Sequence, residues 1–170
     1  FDGDGRLDIA SGSFQSGTVS VSRNIGGQDI DLFPSFVQVS SGSGTLDIAV
    51  GDLNSDGKPD IVTTNFFDAS LSVLLNSSTG PGLISFAPKV NFSSAGDPRS
   101  VEVIDLDGDG KLDIAAIGST LSVLRNTSTA ANSLTFAPPQ SFNLPSPATG
   151  SYRSLAAGDL NADGQPELAF

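Results

Sequence analysis

The residues best placed to do chemistry are the oxygen donors of one nine-residue run, Asp105-Leu106-Asp107-Gly108-Asp109-Gly110-Lys111-Leu112-Asp113. Carboxylates stand at loop positions 1, 3, 5 and 9, and a glycine stands at position 6. Four such charges in nine residues repel one another unless a hard cation sits among them. Alternate positions of a tight loop converge on one point, and the glycine permits the turn that brings the backbone carbonyl of Lys111 to the same centre. Oxygen ligands at this spacing suit Ca²⁺.

The run recurs. Asp52, Asn54, Asp56, the carbonyl of Lys58 and Asp60 form a second set, and Asp159, Asn161, Asp163, the carbonyl of Gln165 and Glu167 form a fourth. The chain opens inside another copy, with Asp2, Asp4, the carbonyl of Arg6 and Asp8 in place and position 1 preceding Phe1. The position-5 aspartates Asp4, Asp56, Asp109 and Asp163 are 52, 53 and 54 residues apart. Four copies in phase make a chance surface turn a poor explanation, and three to four Ca²⁺ ions are expected. An EF-hand fails, because its position-12 Glu is replaced by Thr63, Ala116 and Phe170. A nonapeptide calcium array fails too, since nothing repeats at nine residues.

Charge follows the same map. Of 19 acids, 13 lie in the four loops with three of the eight bases, so the loops carry −10 of the net −11. The acidity is therefore local, and bound Ca²⁺ would nearly cancel it. With 38% hydrophobic residues the chain is not a generally acidic disordered one. The few scattered bases offer no stripe for nucleic acid. No apolar run approaches the roughly 20 residues of a membrane span. The absence of Cys leaves packing and metal to supply stability.

These loops need elements to hold them. Short apolar or alternating runs flank each copy: Leu46 to Val50 and Ile61 to Thr64, then Val101 to Ile104 and Ile114 to Ile117. Their length and β-branched content predict strands, with the loop as a hairpin connection. A third strand is predicted at Val19 to Ser22, Leu71 to Leu74 and Leu121 to Leu124, where alternation puts one face in the core. A fourth, edge strand is expected at Phe33 to Val37, Ser85 to Val90 and Thr135 to Pro138, because proline cannot donate to a ladder. No segment keeps a helical period, so the fold class is all-β.

Four strands per unit of about 53 residues is what one blade of a β-propeller requires, and blades must stack to bury both faces. The 11 Phe fit an inter-blade role. The division expected is a partial blade at 1–44 holding strands two to four, blades at 45–97 and 98–150, and the start of a further blade at 151–170. The chain then reads as a segment of something longer, or as a unit that associates head to tail with copies of itself.

The run Gly51 to Val62, followed by Leu71-Ser72-Val73-Leu74-Leu75-Asn76 and by Phe86-Ala87-Pro88, closely resembles the FG-GAP/VCBS-type repeat of bacterial surface proteins. More distantly it resembles the calcium-bearing blades of the integrin α-chain propeller. The resemblance implies a propeller with Ca²⁺ in the hairpin between the first and second strands of each blade, on one rim. It also implies an extracellular or cell-surface module for adhesion or for binding a protein or glycan. The alternatives are a repeat that assembles head to tail into a surface fibre or scaffold and, remotely, a non-catalytic part of a secreted carbohydrate-active enzyme.

Enzyme activity is not expected. Without His or Cys no Ser-His or Cys-His nucleophile can be built. Outside the loops, Asp29, Asp31, Asp47, Asp68, Asp97 and Glu102 present no obvious catalytic pair. Asn76-Ser77-Ser78, Asn91-Phe92-Ser93 and Asn126-Thr127-Ser128 match the N-glycosylation sequon. The first and third occupy the same place in successive repeats, which points to a turn as the reason for the Asn. The loops Asn76 to Leu83 and Asn126 to Leu134 are the expected variable partner surface.

Overall fold

The structure is a computed structural model, described over residues 1–27, 33–94, 96–130, 133–145 and 152–170. Among these residues there is no helix, and none long and apolar enough to cross a membrane. The strands are β1 (Ile9–Ser13), β2 (Thr18–Ser22), β3 (Phe36–Ser40), β4 (Ile48–Gly51), β5 (Asp60–Asn65), β6 (Ser70–Leu74), β7 (Val90–Ser93), β8 (Ser100–Ile104), β9 (Asp113–Ile117), β10 (Leu121–Leu124), β11 (Gln140–Phe142), β12 (Ala156–Gly158) and β13 (Glu167–Ala169).

They form antiparallel meanders in chain order. Two are complete four-stranded sheets, β4-β5-β6-β7 and β8-β9-β10-β11; β1-β2-β3 and β12-β13 flank them. The all-β, blade-type expectation is met: each of the two four-stranded meanders has the form of a propeller-type blade.

Stacking explains the residue pattern. The second strand of each complete blade is buried on both faces, so its side chains alternate between neighbours. Ile61 and Leu74 join Val19 and Val21 of the preceding sheet, whereas Val62, Leu71 and Val73 join Val101, Ile114 and Leu124 of the following one. Ala115, Ile117 and Leu121 repeat the arrangement towards Leu155 and Leu168. A strand covered on both sides is expected to read as an apolar run, yet in Asp60-Ile61-Val62-Thr63-Thr64-Asn65 only Ile61 and Val62 are apolar.

Its polar members are buried too, and they find one another. The Asn65 side-chain amide donates to the hydroxyls of Ser70 (3.0 Å) and Ser72 (2.8 Å), and Ser72 donates to Asn91 Oδ1 (2.9 Å). A buried hydroxyl left without such a partner costs about 1–3 kcal/mol. The polar face of the third strand is thus an internal network and not a wetted surface.

The first strands of successive blades run side by side, β4 against β8 and β8 against β12. The approach is close: a Cβ on Gly51 would lie 2.6 Å from Leu112 Cδ1 and 3.0 Å from Val103 Cγ2 in the next blade. Asp47, just before β4, fastens this seam, its Oδ2 accepting from Ser100 Oγ (2.7 Å) and the Val101 amide (3.0 Å). Ser100 occupies the equivalent position one blade on, and its hydroxyl accepts from the Leu155 amide at 3.1 Å.

Two expectations are corrected. The fourth strand follows the prolines: β3, β7 and β11 begin after Pro34, Pro88 and Pro139, while Phe86 and Phe136 make only single bridges to Asn76 and Asn126. Proline has no N–H to give a ladder, so continuous pairing runs on its C-terminal side. The phenylalanines also divide. Phe92 and Phe136 meet edge to face between blades at 5.0 Å and Phe1 meets Phe86 at 5.8 Å, but Phe36, Phe67 and Phe142 are exposed.

Candidate metal centre

Each loop joins the first two strands of a blade where the ladder ends. Gly51 pairs with Asp60, Ile104 with Asp113 and Gly158 with Glu167, so in these three loops position 9 is the first residue of the returning strand, and in the first loop Asp8 stands just before β1. Between these ends the backbone winds around its own carboxylates. Asp105 Oδ1 accepts from the amides of Gly108 (2.8 Å) and Asp109 (3.1 Å), and its Oδ2 accepts from Gly110 (2.8 Å). Asp107 Oδ1 accepts from Asp109 at 3.2 Å, and Asp109 Oδ1 accepts from Lys111 at 3.0 Å.

The Asp52 loop repeats this winding through Asp56, Gly57 and Lys58, and the Asp159 loop through Asp163, Gly164 and Gln165. In the first loop Asp4 donates to Asp2 and Arg6 donates to Asp4. Position 6 is left-handed throughout, with φ of 81° at Gly5, 82° at Gly57, 84° at Gly110 and 86° at Gly164. Position 4 is left-handed as well, at Gly3 and Gly108 but also at Ser55 (φ 57°) and Ala162 (φ 62°), where a side chain must bear the strain.

The winding brings ligands together. One carboxylate oxygen from each of Asp105, Asp107 and Asp109 lies within 4.8 Å of the others. All the donors are hard oxygens, with neither imidazole nor thiolate available in the chain, and such a set fits a hard divalent cation of Ca²⁺ type.

Asp113 stands apart from that trio and acts as a pin. Its Oδ2 accepts from the Leu106 amide (3.0 Å) and its Oδ1 from the Asn126 amide (2.8 Å). Asp60 is held the same way by Leu53 (2.9 Å) and Asn76 (2.8 Å), and Asp8 by the nitrogens of Phe1 and Asn24. Glu167 reaches back to the Leu160 amide at 2.7 Å. Burial pushes the Asp60 carboxyl up to about 6; the amides of Asn76 and Leu53 pull the other way, and the charges of Asp56 and Asp52 add to the rise. Asp113 is raised for the same reasons, burial first.

Arginines distinguish the loops. Arg23 lies on Asp2 and Asp4 of the first loop, and Arg125 pairs with Asp107 of the third. Both precede the asparagine that follows the third strand, where the second blade has Leu75. The acid at position 3 and this arginine occur together: Asp2 with Arg23, Asp107 with Arg125, and Asn54 with Leu75. Asp2 is buried, which opposes its ionisation, yet the Gly82 amide (2.7 Å) and Arg23 outweigh that and hold its carboxyl well below the usual range.

The sequons separate cleanly. Asn76 and Asn126 are 3% and 1% exposed, and each spends both side-chain amide protons on backbone carbonyls, so neither is a free acceptor for sugar. Their Oδ1 atoms accept from the amides of Ser78 and Ser128, closing a turn. Asn91 is exposed on β7. At the base of each expected variable loop Asn76 and Ser78, or Asn126 and Ser128, are buried, while Ser77, Thr127 and Leu83 face solvent. Asp29 and Asp31 lie outside the described residues.

Asn24, Asn76, Asn126, Arg23, Arg125 and Asp47 are the site and seam residues that pattern reading did not assign. The recurrence of Asn after every third strand, and the paired change at position 3, were the available signals.

No curated protein matches the chain. The FG-GAP-like repeat matches twice, over residues 1–63 and 52–116, and so spans most of the 170 residues. Blade-type sheets, a loop in the same hairpin of each and this double match agree: the chain belongs to the FG-GAP-like repeat family.

Proposed function

We propose that the protein is an extracellular repeat module in which each blade hairpin is clamped by Ca²⁺, and that the blade array serves adhesion or the binding of a protein or glycan at the cell surface. The observation that carries this reading is the convergence of Asp105, Asp107 and Asp109 in a loop whose winding recurs at the same phase of every unit. The ligands are the side chains at positions 1, 3, 5 and 9 and the carbonyl at position 7. In the Asp159 loop, Asn161 and the longer Glu167 fill two of these places.

The chain's own residues do the rest. The amide bonds to Asp52, Asp105 and Asp159 preform the loop, and the position-9 pin fixes its end to the returning strand. A bound cation neutralises carboxylates that otherwise repel. Because the site exists only in the folded hairpin, binding adds to folding stability. Open oxygen-ligand loops of this kind match compartments where Ca²⁺ is abundant, which is why the location proposed is outside the cell. A loop present in every blade belongs to the architecture, so partner recognition falls to the parts that do not repeat. Catalysis has no place in this reading: FG-GAP-like repeats are generally non-catalytic structural modules, and without His or Cys the chain can build no Ser-His or Cys-His nucleophile.

Titration calorimetry with Ca²⁺ into the chelator-treated chain tests this. The expected outcome is saturable binding of about one ion per complete loop, with Mg²⁺ markedly weaker because it demands a tighter octahedral cage. Absence of saturable binding at millimolar Ca²⁺ contradicts the proposal.

A further inference from the structure

Asn76 and Asn126 reach across the blade boundary. Asn126 donates its backbone N–H to Asp113 of its own loop (2.8 Å) and one side-chain proton to the Leu112 carbonyl, position 8 of that loop (3.0 Å). The second side-chain proton goes to the Leu53 carbonyl, position 2 of the preceding loop, at 2.8 Å. Asn76 does the same one blade earlier, to Asp60, to the Pro59 carbonyl (3.1 Å) and to the Phe1 carbonyl (2.9 Å). Asn24 keeps the intrablade part, to Asp8 (2.8 Å) and the Leu7 carbonyl (3.2 Å).

Position 2 is anchored in the other sense too. The Leu53 amide donates to Asp60, closing its own loop, while the Leu53 side chain is 1% exposed within the cluster that holds Ile114 and Leu124 of the next blade. Phe1 likewise packs on Phe86 of the next blade. A continuous run of hydrogen bonds therefore passes from Asp8 through Phe1, Asn76, Asp60, Leu53 and Asn126 to Asp113.

We propose that Asn76 and Asn126 are positioning residues that couple neighbouring loops, so that a loop binds Ca²⁺ more tightly when the loop beside it is already filled. The inference rests on the calcium reading above and adds to it. The physical cause is shared ordering. Closing the Asp52 loop fixes Leu53, which fixes Asn126, and this orders the pinned end of the Asp105 loop before that loop binds. A ligand entering a site already ordered loses less conformational entropy, which is positive cooperativity. Linkage makes the effect reciprocal.

The amides of Gly57 and Gly110, at position 6, report the two loops separately by NMR during a Ca²⁺ titration of the 170-residue chain. Emptying the Asp52 loop with Asp52→Ala and Asp56→Ala should weaken binding read at Gly110 by about fivefold. Emptying the Asp105 loop with Asp105→Ala and Asp109→Ala should weaken binding read at Gly57 by the same factor. In an Asn126→Ser background the Gly110 affinity should no longer depend on the Asp52 loop. An independent readout leaves Asn126 in place: its side-chain amide protons should lose about tenfold of their protection from solvent exchange when the neighbouring loop is emptied.

Binding at both glycines with affinities indifferent to the neighbour overturns the coupling and leaves the calcium reading intact. Coupling that persists in Asn126→Ser, or unchanged protection of the Asn126 side-chain amide, also overturns it. Failure of either glycine to shift with Ca²⁺ overturns both readings.

Discussion

The Asp52 and Asp105 loops share the winding hydrogen bonds donated at positions 5, 6 and 7, yet four of their surroundings differ. Position 3 is Asn54 in one and Asp107 in the other; position 4 is Ser55 against Gly108; the residue before the pinning asparagine is Leu75 against Arg125; and Leu53 is buried more completely than Leu106. The first and third differences compensate. The Asp52 loop has three acids and Lys58, and the Asp105 loop has four acids with Lys111 and Arg125, so both environments carry −2. That is the charge a divalent cation neutralises. What these two loops share is thus the winding and the charge, rather than the identity of each ligand.

The largest effect expected on the comparison comes from its buried knob. Leu53→Ala should cost about 3 kcal/mol of stability by urea unfolding, because it opens a hole between two blades. Leu160→Ala, at the same loop position but 71% exposed, should change stability by less than about 0.5 kcal/mol.

The position-9 acids give the next effect, in pH. The Asp60 carboxyl is pushed up to about 6 from an ordinary 3.8. Between these values the folded chain holds a proton that the unfolded chain has released. Stability of the metal-free protein therefore falls as pH rises through that window and then levels off. Urea midpoints in chelator at pH 4.5 and 6.5 should show the fall, and Asp60→Asn should lessen it. Binding of Ca²⁺ requires the ionised form, so apparent affinity should move the opposite way and strengthen as pH rises through about 6.

Backbone strain comes third. Ser55→Gly gives the Asp52 loop the residue found at Gly108 and should raise stability by about 1 kcal/mol, since a left-handed φ costs a side-chain-bearing residue roughly that much. Gly108→Ser should lower it by a similar amount.

The smallest effect concerns charge. Arg125→Leu copies Leu75 and leaves Asp107 unbalanced, so Ca²⁺ affinity at the Asp105 loop should rise a few-fold while metal-free stability shifts by less than about 1 kcal/mol. The double change Asn54→Asp with Leu75→Arg should leave affinity at the Asp52 loop near its starting value. Titration calorimetry reads both.

Much of this was legible in the chain itself. Loop spacing gave the converging carboxylates, and the recurring third strand gave the blade, because both depend on residues close in sequence. The fourth strand was misplaced since proline marks a boundary without saying on which side the ladder lies. The partners of Asn76 and Asn126 were hidden for a different reason: the Phe1 and Leu53 carbonyls stand 75 and 73 residues away, and backbone acceptors have no side-chain signature. Arg125 on Asp107 lay between these cases, visible only on comparing one repeat with the next.

The central claim, that the loops are calcium clamps on the blades, is tested most directly by thermal unfolding of the chain in millimolar Ca²⁺ and again in excess chelator. Saturating several sites well above their dissociation constants should raise the midpoint by about 10 °C or more. Identical midpoints in the two conditions would contradict the account.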